Sequence, residues 1–297
     1  MPKQEVQGPT KERYLKSYEK RRASKDAIEY PPEVPGVKDA IDVHCHCDQG
    51  HQDGPALAKH ATRNGMGGIL YKSIACEKSG VETVKELREN LNRWADQEKL
   101  QPTDCWVGYV MRGSKGPSLE NTRKQVEAGA IAYWMPVAMH ANTLSKIGGR
   151  KSWWDPSASR NQLTAPLSWE EALEIFAMAE EIEKIGFKRA VVDHPFSPFV
   201  DLAVEQMKQL AKARIYMNFT YDELSPLPGV DPALIGEAIR AMGVERAILS
   251  SDAGEPLFPN SVECMRLMRD FMRAFGLQED EVHRATVTNP AAIVAMN

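Results

Sequence analysis

The 297-residue sequence has no apolar run of about 18 residues, the length a helix needs to cross a bilayer, so no transmembrane helix is expected. Its first 30 residues also lack the apolar stretch of a secretory signal, which makes a cytoplasmic location the expectation. Cysteine is sparse. The five, at 45, 47, 76, 105 and 264, are odd in number and irregular in spacing, which excludes a disulfide framework. There is no surplus of basic charge: 37 Lys and Arg stand against 41 Asp and Glu, a net charge of -4. Nucleic-acid phosphates favour a basic face, so neither nucleic acid nor membrane is an expected partner.

What is present suits a large core, with a hydrophobic fraction of 42%. Residues 10–28 read as a helix, with Tyr14, Leu15, Tyr18 and Arg22 on one face. Its basic residues (Lys11, Arg13, Lys16, Lys20, Arg21, Arg22 and Lys25) fit a solvated helix lying on the rest of the fold or on a neighbouring subunit. A homo-oligomer is expected. Pro31, Pro32 and Pro35 then make a stiff connection, because proline cannot continue a helix.

From residue 39 short β-branched or aromatic runs alternate with longer amphipathic ones, the pattern of a parallel sheet built from βα units. Strands are predicted at 40–46, 67–73, 104–110, 130–137, 188–194, 213–219 and 246–252, with a weaker eighth at 161–165. Helices are predicted at 80–97, 168–185, 199–212, 231–242 and 260–275, and a short last one at Asn289-Pro290-Ala291-Ala292-Ile293. Eight strands over about 260 residues make an α/β protein of the (β/α)8 TIM-barrel type. The reading divides the chain into an N-terminal helical extension and Pro-rich linker over 1–38 and the barrel over 39–297. A doubly wound open sheet is the alternative.

Active sites of parallel barrels lie at the C-terminal ends of the strands. His44 and His46 end the first predicted strand, Lys72 the second, His194 the sixth, Asn218 the seventh and Asp252 the last; His140 follows the fourth. Two histidines at i and i+2 on a strand share one face and reach one ion. Cys45 and Cys47 then point the other way, as buried packing residues. Imidazole together with carboxylate suits zinc first, with manganese or iron as alternatives. His51, His60 and His283 fall away from the strand ends and are not expected to be catalytic.

The stretch Ile41-Asp42-Val43-His44-Cys45-His46 resembles the opening D-x-H-x-H motif of the amidohydrolase superfamily. Ser250-Ser251-Asp252-Ala253-Gly254 resembles its last-strand aspartate, and Asn289-Pro290-Ala291 its closing segment. The resemblance spans roughly residues 39–297. It implies His44, His46 and Asp252 as metal ligands, with Asp252 also taking the proton of the attacking water. His194 is either a further ligand or the base that orients that water. Members with a carboxylated lysine bridge two ions from strand four. Here that strand carries Tyr133, Trp134 and Met135, so one divalent ion is expected.

The segment from Ala138 to Leu167 is long for a βα connection and should cover the mouth of the site. It carries Lys146, Arg150, Lys151 and Arg160 against Asp155 alone, with Trp153 and Trp154 between them. Guanidinium groups fork onto carboxylates and indoles offer flat apolar faces. Arg150, Arg160, Trp154, Lys72, His140 and Asn218 are therefore the expected substrate contacts, for a small anionic, ring-bearing molecule. The expected activity is metal-dependent hydrolysis of an amide, cyclic amide or lactone. Two alternatives keep the fold: a metal-dependent decarboxylase or hydratase acting on an aromatic-derived acid, and a non-catalytic barrel that has lost its metal.

Overall fold

The computed structural model describes residues 33–46, 54–73, 79–110, 127, 132–134, 191–196, 202–224, 230–253 and 259–294. The strands among them are β1 (Ile41–Cys45), β2 (Gly68–Ser73), β3 (Asp104–Val110), β4 (Ala132–Trp134), β5 (Val191–Asp193), β6 (Tyr216–Thr220) and β7 (Ala247–Ser250). The helices are α1 (Gly54–Arg63), α2 (Ser79–Glu98), α3 (Val204–Lys212), α4 (Tyr221–Leu224), α5 (Pro232–Met242), α6 (Ser261–Ala274), α7 (Glu279–His283) and α8 (Asn289–Val294). Each of the seven firmly expected strands is found. The helix expected over 10–28, the strand over 161–165 and the helix over 168–185 lie outside the described residues.

All pairings are parallel. β1 through β4 form one sheet in chain order, and β5 through β7 another. β1 also meets the chain leaving β7, through a parallel bridge between Cys45 and Ala253. Two bonds seal it: His46 N donates to Ala253 O at 2.7 Å and Asp252 N to His44 O at 2.8 Å. Between β1 and β2 the register slips, with Asp42 opposite Ile69 but Cys45 opposite Tyr71, so β1 carries one extra residue. Such a bulge bends a strand and re-aims its side chains, here within the Val43-His44 stretch between the two pairs.

Side chains along a strand alternate between two faces, and the two faces pack in separate clusters. Ile69, Tyr71, Val192, Met217, Phe219 and Leu249 pack with the helices. Ile41, Val43, Leu70, Val191, Tyr216 and Ile248 form an inner cluster with Ile293 and Val294 of α8. That inner cluster draws on strands of both sheets. Gly68 is required at the start of β2, since a Cβ there would collide with the Trp106 ring.

Local chemistry sets the helix ends. Asp231 caps α5, its Oδ1 accepting from Ala233 N at 2.9 Å, with Pro232 pre-set for the first turn and Gly243 at φ 91° closing it. Asn260 caps α6, accepting from Glu263 N at 3.1 Å. Behind that cap, Val262, Met265, Met268 and Met272 recur at helical spacing and are buried. The Asn289-Pro290-Ala291 segment starts α8. Asn289 Nδ2 donates to the carbonyls of Val244 and Ala247 at 2.8 and 2.7 Å, fastening α8 to the foot of β7.

Several boundaries differ from the sequence reading. α3 begins at Val204 rather than 199, with Leu202 and Ala203 outside the helix. β6 begins at Tyr216 rather than near 213, because Ala213 and Arg214 (φ 66°) complete the turn that closes α3. β5 stops at Asp193 and β7 at Ser250, because His194 and Asp252 adopt left-handed conformations, φ 51° and 50°. Non-glycine residues take that conformation uncommonly, Asp and His more readily than most, and those that do fall in turns, as Arg214 does, or at functional sites.

Candidate metal centre

Moving two residues along each of three inner-face positions changes its chemistry. Val191, Tyr216 and Ile248 belong to the apolar inner cluster. Asp193, Asn218 and Ser250, one step further toward the C-terminal ends, make a buried polar tier. His44 and His46 reach the same level from β1. His44 Nε2 lies 3.3 Å from His46 Nε2. Asp252 Oδ1 lies 2.7 Å from the first and 3.1 Å from the second. Three donor atoms thus converge on one point. Two donors about 2.0–2.1 Å from a tetrahedral ion stand roughly 3.4 Å apart, so the imidazole pair is already at ligand spacing. A divalent ion fits this donor set.

The surroundings sustain the fit. His44 Nδ1 meets the Asp193 carboxylate, 3.0 Å from Oδ1 and 2.9 Å from Oδ2. A carboxylate behind a ligating histidine fixes which nitrogen carries the proton and raises the basicity of the other. His194 Nε2 faces Asp252 Oδ2 at 3.5 Å and Asp193 Oδ2 at 3.7 Å, while its Nδ1 bonds Thr220 Oγ1 at 2.8 Å. Asp222 Oδ2 stands 4.0 Å from His194 Nδ1. Grouped by reach, His44, His46 and Asp252 form one candidate ion site; His44, Asp193 and His194, and His194, Asp222 and Asp252, form two overlapping ones. His44 and Asp193 are sealed from solvent, whereas His194, Asp252 and His46 keep a little exposure and line the open side.

Charge follows from the packing. Burial alone would raise the Asp252 carboxyl, but the charges of His44 and His194 and hydrogen bonds from His44 and His46 hold it well below the ordinary carboxylate range. Asp42 is the opposite case. Burial pushes it up, against hydrogen bonds from Ser251, Ser261 and the His44 backbone. Ser251 Oγ and Ser261 Oγ each donate to Asp42 Oδ2 at 2.5 Å, and Ser251 N to Oδ1 at 3.1 Å. The motif's aspartate therefore clamps β1 to the turn that carries Asp252 and to α6. Cys45, Cys105 and Cys264 are buried. Burial, with the charges of Asp42, Glu263 and Asp252, pushes the Cys264 thiol well up, so it stays protonated.

The structure brings together His44, His46, His194 and Asp252 of the expected site. Asn218, expected to meet substrate, is fully buried, and its amide is held between Asp193 and Ser250. Lys72 lies on β2 opposite Gly108 of β3. His140, Arg150, Trp154 and Arg160 lie outside the described residues. Asp193 and Asp222 were not anticipated. The available signal for Asp193 was an acid ending an otherwise apolar strand, directly before His194.

No family model matches the sequence, and neither does any curated protein. Solved structures do. A protein of Agrobacterium tumefaciens, crystallised in its apo form, shares the fold at a TM-score of 0.51 and 12% identity, over 90% of this chain and 98% of that one. The structural neighbours include members of the amidohydrolase superfamily. Among them is a β-aspartyl dipeptidase of Fervidobacterium islandicum AW-1, with TM-score 0.48 and 15% identity over 88% of this chain and 75% of that one. Another is a zinc-bound amidohydrolase of Burkholderia multivorans, with TM-score 0.45 and 12% identity over 87% of this chain and 99% of that one.

Proposed function

We propose that the chain is a metal-dependent hydrolase of the amidohydrolase type, built on a (β/α)8 barrel, that opens an amide, cyclic amide or lactone bond in a small anionic molecule. One observation carries the reading: His44 Nε2, His46 Nε2 and Asp252 Oδ1 meet within 3.3 Å of one another at the C-terminal ends of parallel strands. The inner cluster shared by both sheets and the approach of β4 to β5 support the barrel.

His44, His46 and Asp252 would hold one divalent ion, zinc first, with His194 at its open side. Such an ion supplies carbonyl polarisation and lowers the pKa of a water to about 7. The remaining work falls to the side chains. Asp252 Oδ2, turned toward the open side, accepts the proton of the attacking water. His194, 3.5 Å away, orients that water and receives the proton for delivery to the leaving group. Asp193 behind His44 keeps the imidazole in place. The basic, tryptophan-bearing segment over 138–167 would supply the grip on the substrate's carboxylate.

The test is turnover by the zinc-loaded chain on N-acyl amino acids, cyclic amides and lactones, each with and without a free carboxylate. Hydrolysis is expected for carboxylated members, weaker for their neutral partners. The His44→Ala/His46→Ala double variant is expected to be folded, free of zinc and inactive. Release of CO2 in place of acid or ammonia, or full zinc retention by the double variant, would contradict the proposal.

A further inference from the structure

The polar tier beneath the metal centre is a connected chain of hydrogen bonds with one possible direction. The Asp193 carboxylate can only accept. Asn218 therefore presents its amide nitrogen, and Nδ2 donates to Asp193 Oδ1 at 2.5 Å. That leaves Asn218 Oδ1 as an acceptor facing β7, where the Ser250 hydroxyl donates to it at 2.7 Å. At the other end His44 Nδ1 reaches both carboxylate oxygens of Asp193, and it must be the donor. Ser250, Asn218, Asp193 and His44 are all buried without solvent exposure. Asp193, Asn218 and Ser250 lie on the neighbouring strands β5, β6 and β7: Asp193 pairs with Asn218, and Ser250 with Thr220, two residues beyond Asn218.

We infer that Ser250 and Asn218 are positioning residues that act through Asp193, holding its carboxylate so that His44 keeps its proton on Nδ1 and offers Nε2 to the ion. The relay rests on the metal-centre reading proposed above and extends it to two residues that touch neither ion nor substrate. Water cannot substitute for a lost member in a tier this closed. A carboxylate deprived of the Asn218 amide rotates to satisfy itself elsewhere, and the His44 ring loses its fixed tautomer and orientation. An apolar side chain at 218 would remove both bonds; alanine at 250 would leave the amide free to turn.

Zinc affinity of the full chain, measured by competition with a chelator, reads the relay without reference to substrate. Asn218→Leu is expected to weaken zinc roughly 10–100-fold, the range for losing a partner behind a ligating histidine, and Ser250→Ala about 3–10-fold. Ser250→Thr, which keeps the hydroxyl, is expected to restore wild-type affinity. The d–d absorption of the cobalt-substituted protein should lose intensity in the two weakened variants and recover in Ser250→Thr. A purely structural role would lower the thermal midpoint of the metal-free variants while leaving zinc affinity and the cobalt bands unchanged. If Asn218→Leu does not fold, the Ser250→Ala and Ser250→Thr pair decides alone. A wild-type chain that takes up no zinc overturns the metal centre itself. A wild-type chain that binds zinc, with variants that bind it equally well, overturns the relay alone.

Discussion

In the proposed mechanism Asp252 carries two duties on one carboxylate. Oδ1 stands between the Nε2 atoms of His44 and His46, and Oδ2 turns toward His194. Asparagine keeps an oxygen for the ion but puts an amide where the proton must land, and an amide nitrogen does not accept. Asp252→Asn is therefore expected to lower kcat by about 10²–10⁴ while most of the metal stays bound. Kinetics and metal content measured on one preparation check this, and near-normal turnover would remove the proton-accepting role. His44, His46, His194 and Asp252 were legible in the sequence because each sits where a strand's apolar run ends. Asp193 ends the same run as His194, but the alternation of the strand concealed it. Consecutive residues of a strand face opposite sides, so a periodic reading that turns His194 inward turns Asp193 outward. The left-handed His194 breaks that rule and lets both face the site. Histidine adopts that conformation more readily than most residues, but its type alone does not place the break.

At the scale of elements, the chain leaving β6 folds straight into the single turn of α4. There Glu223 doubles back. Its Oε1 accepts from Phe196 N at 2.7 Å and its Oε2 from Thr220 N at 3.0 Å, tying the end of β5 to the end of β6. Burial raises the Glu223 carboxyl well above 4.5, the two backbone donors oppose this, and the neighbouring charges of Asp222 and Asp193 add to it. A carboxyl raised in the folded state contributes stability that is whole below its unfolded pKa and is lost as pH rises through the folded value. Compared with Glu223→Gln, the metal-free wild type should be most favoured at pH below 4.5 and lose that advantage as pH climbs. Thermal midpoints of both proteins across that range check the sign, and a pH-independent difference would contradict it. α4 itself escaped the sequence reading because four residues, Tyr221-Asp222-Glu223-Leu224, are too few to show a helical period. By contrast α5 and α6 were legible: each shows a buried face at helical spacing and a side-chain cap.

For the molecule as a whole, the strands place an apolar tier below a polar one. Ile41, Val43, Leu70, Val191, Tyr216 and Ile248 form the apolar tier, packed with Ile293 and Val294. Asp193, Asn218, Ser250, His44 and His46 lie above. The strand-helix alternation could be read from the sequence because buried parallel strands are short β-branched runs between turns. The tiers could not, since they depend on which strands are neighbours and on the bulge within the Val43-His44 stretch. The upper tier is proposed to end in an ion site. Diffraction from crystals of the zinc-loaded chain, recorded on both sides of the zinc absorption edge, decides whether it does. One anomalous peak per chain is expected, bonded to His44 Nε2, His46 Nε2 and an oxygen of Asp252. A map with no peak among those three atoms, or with zinc bound only elsewhere, would contradict it.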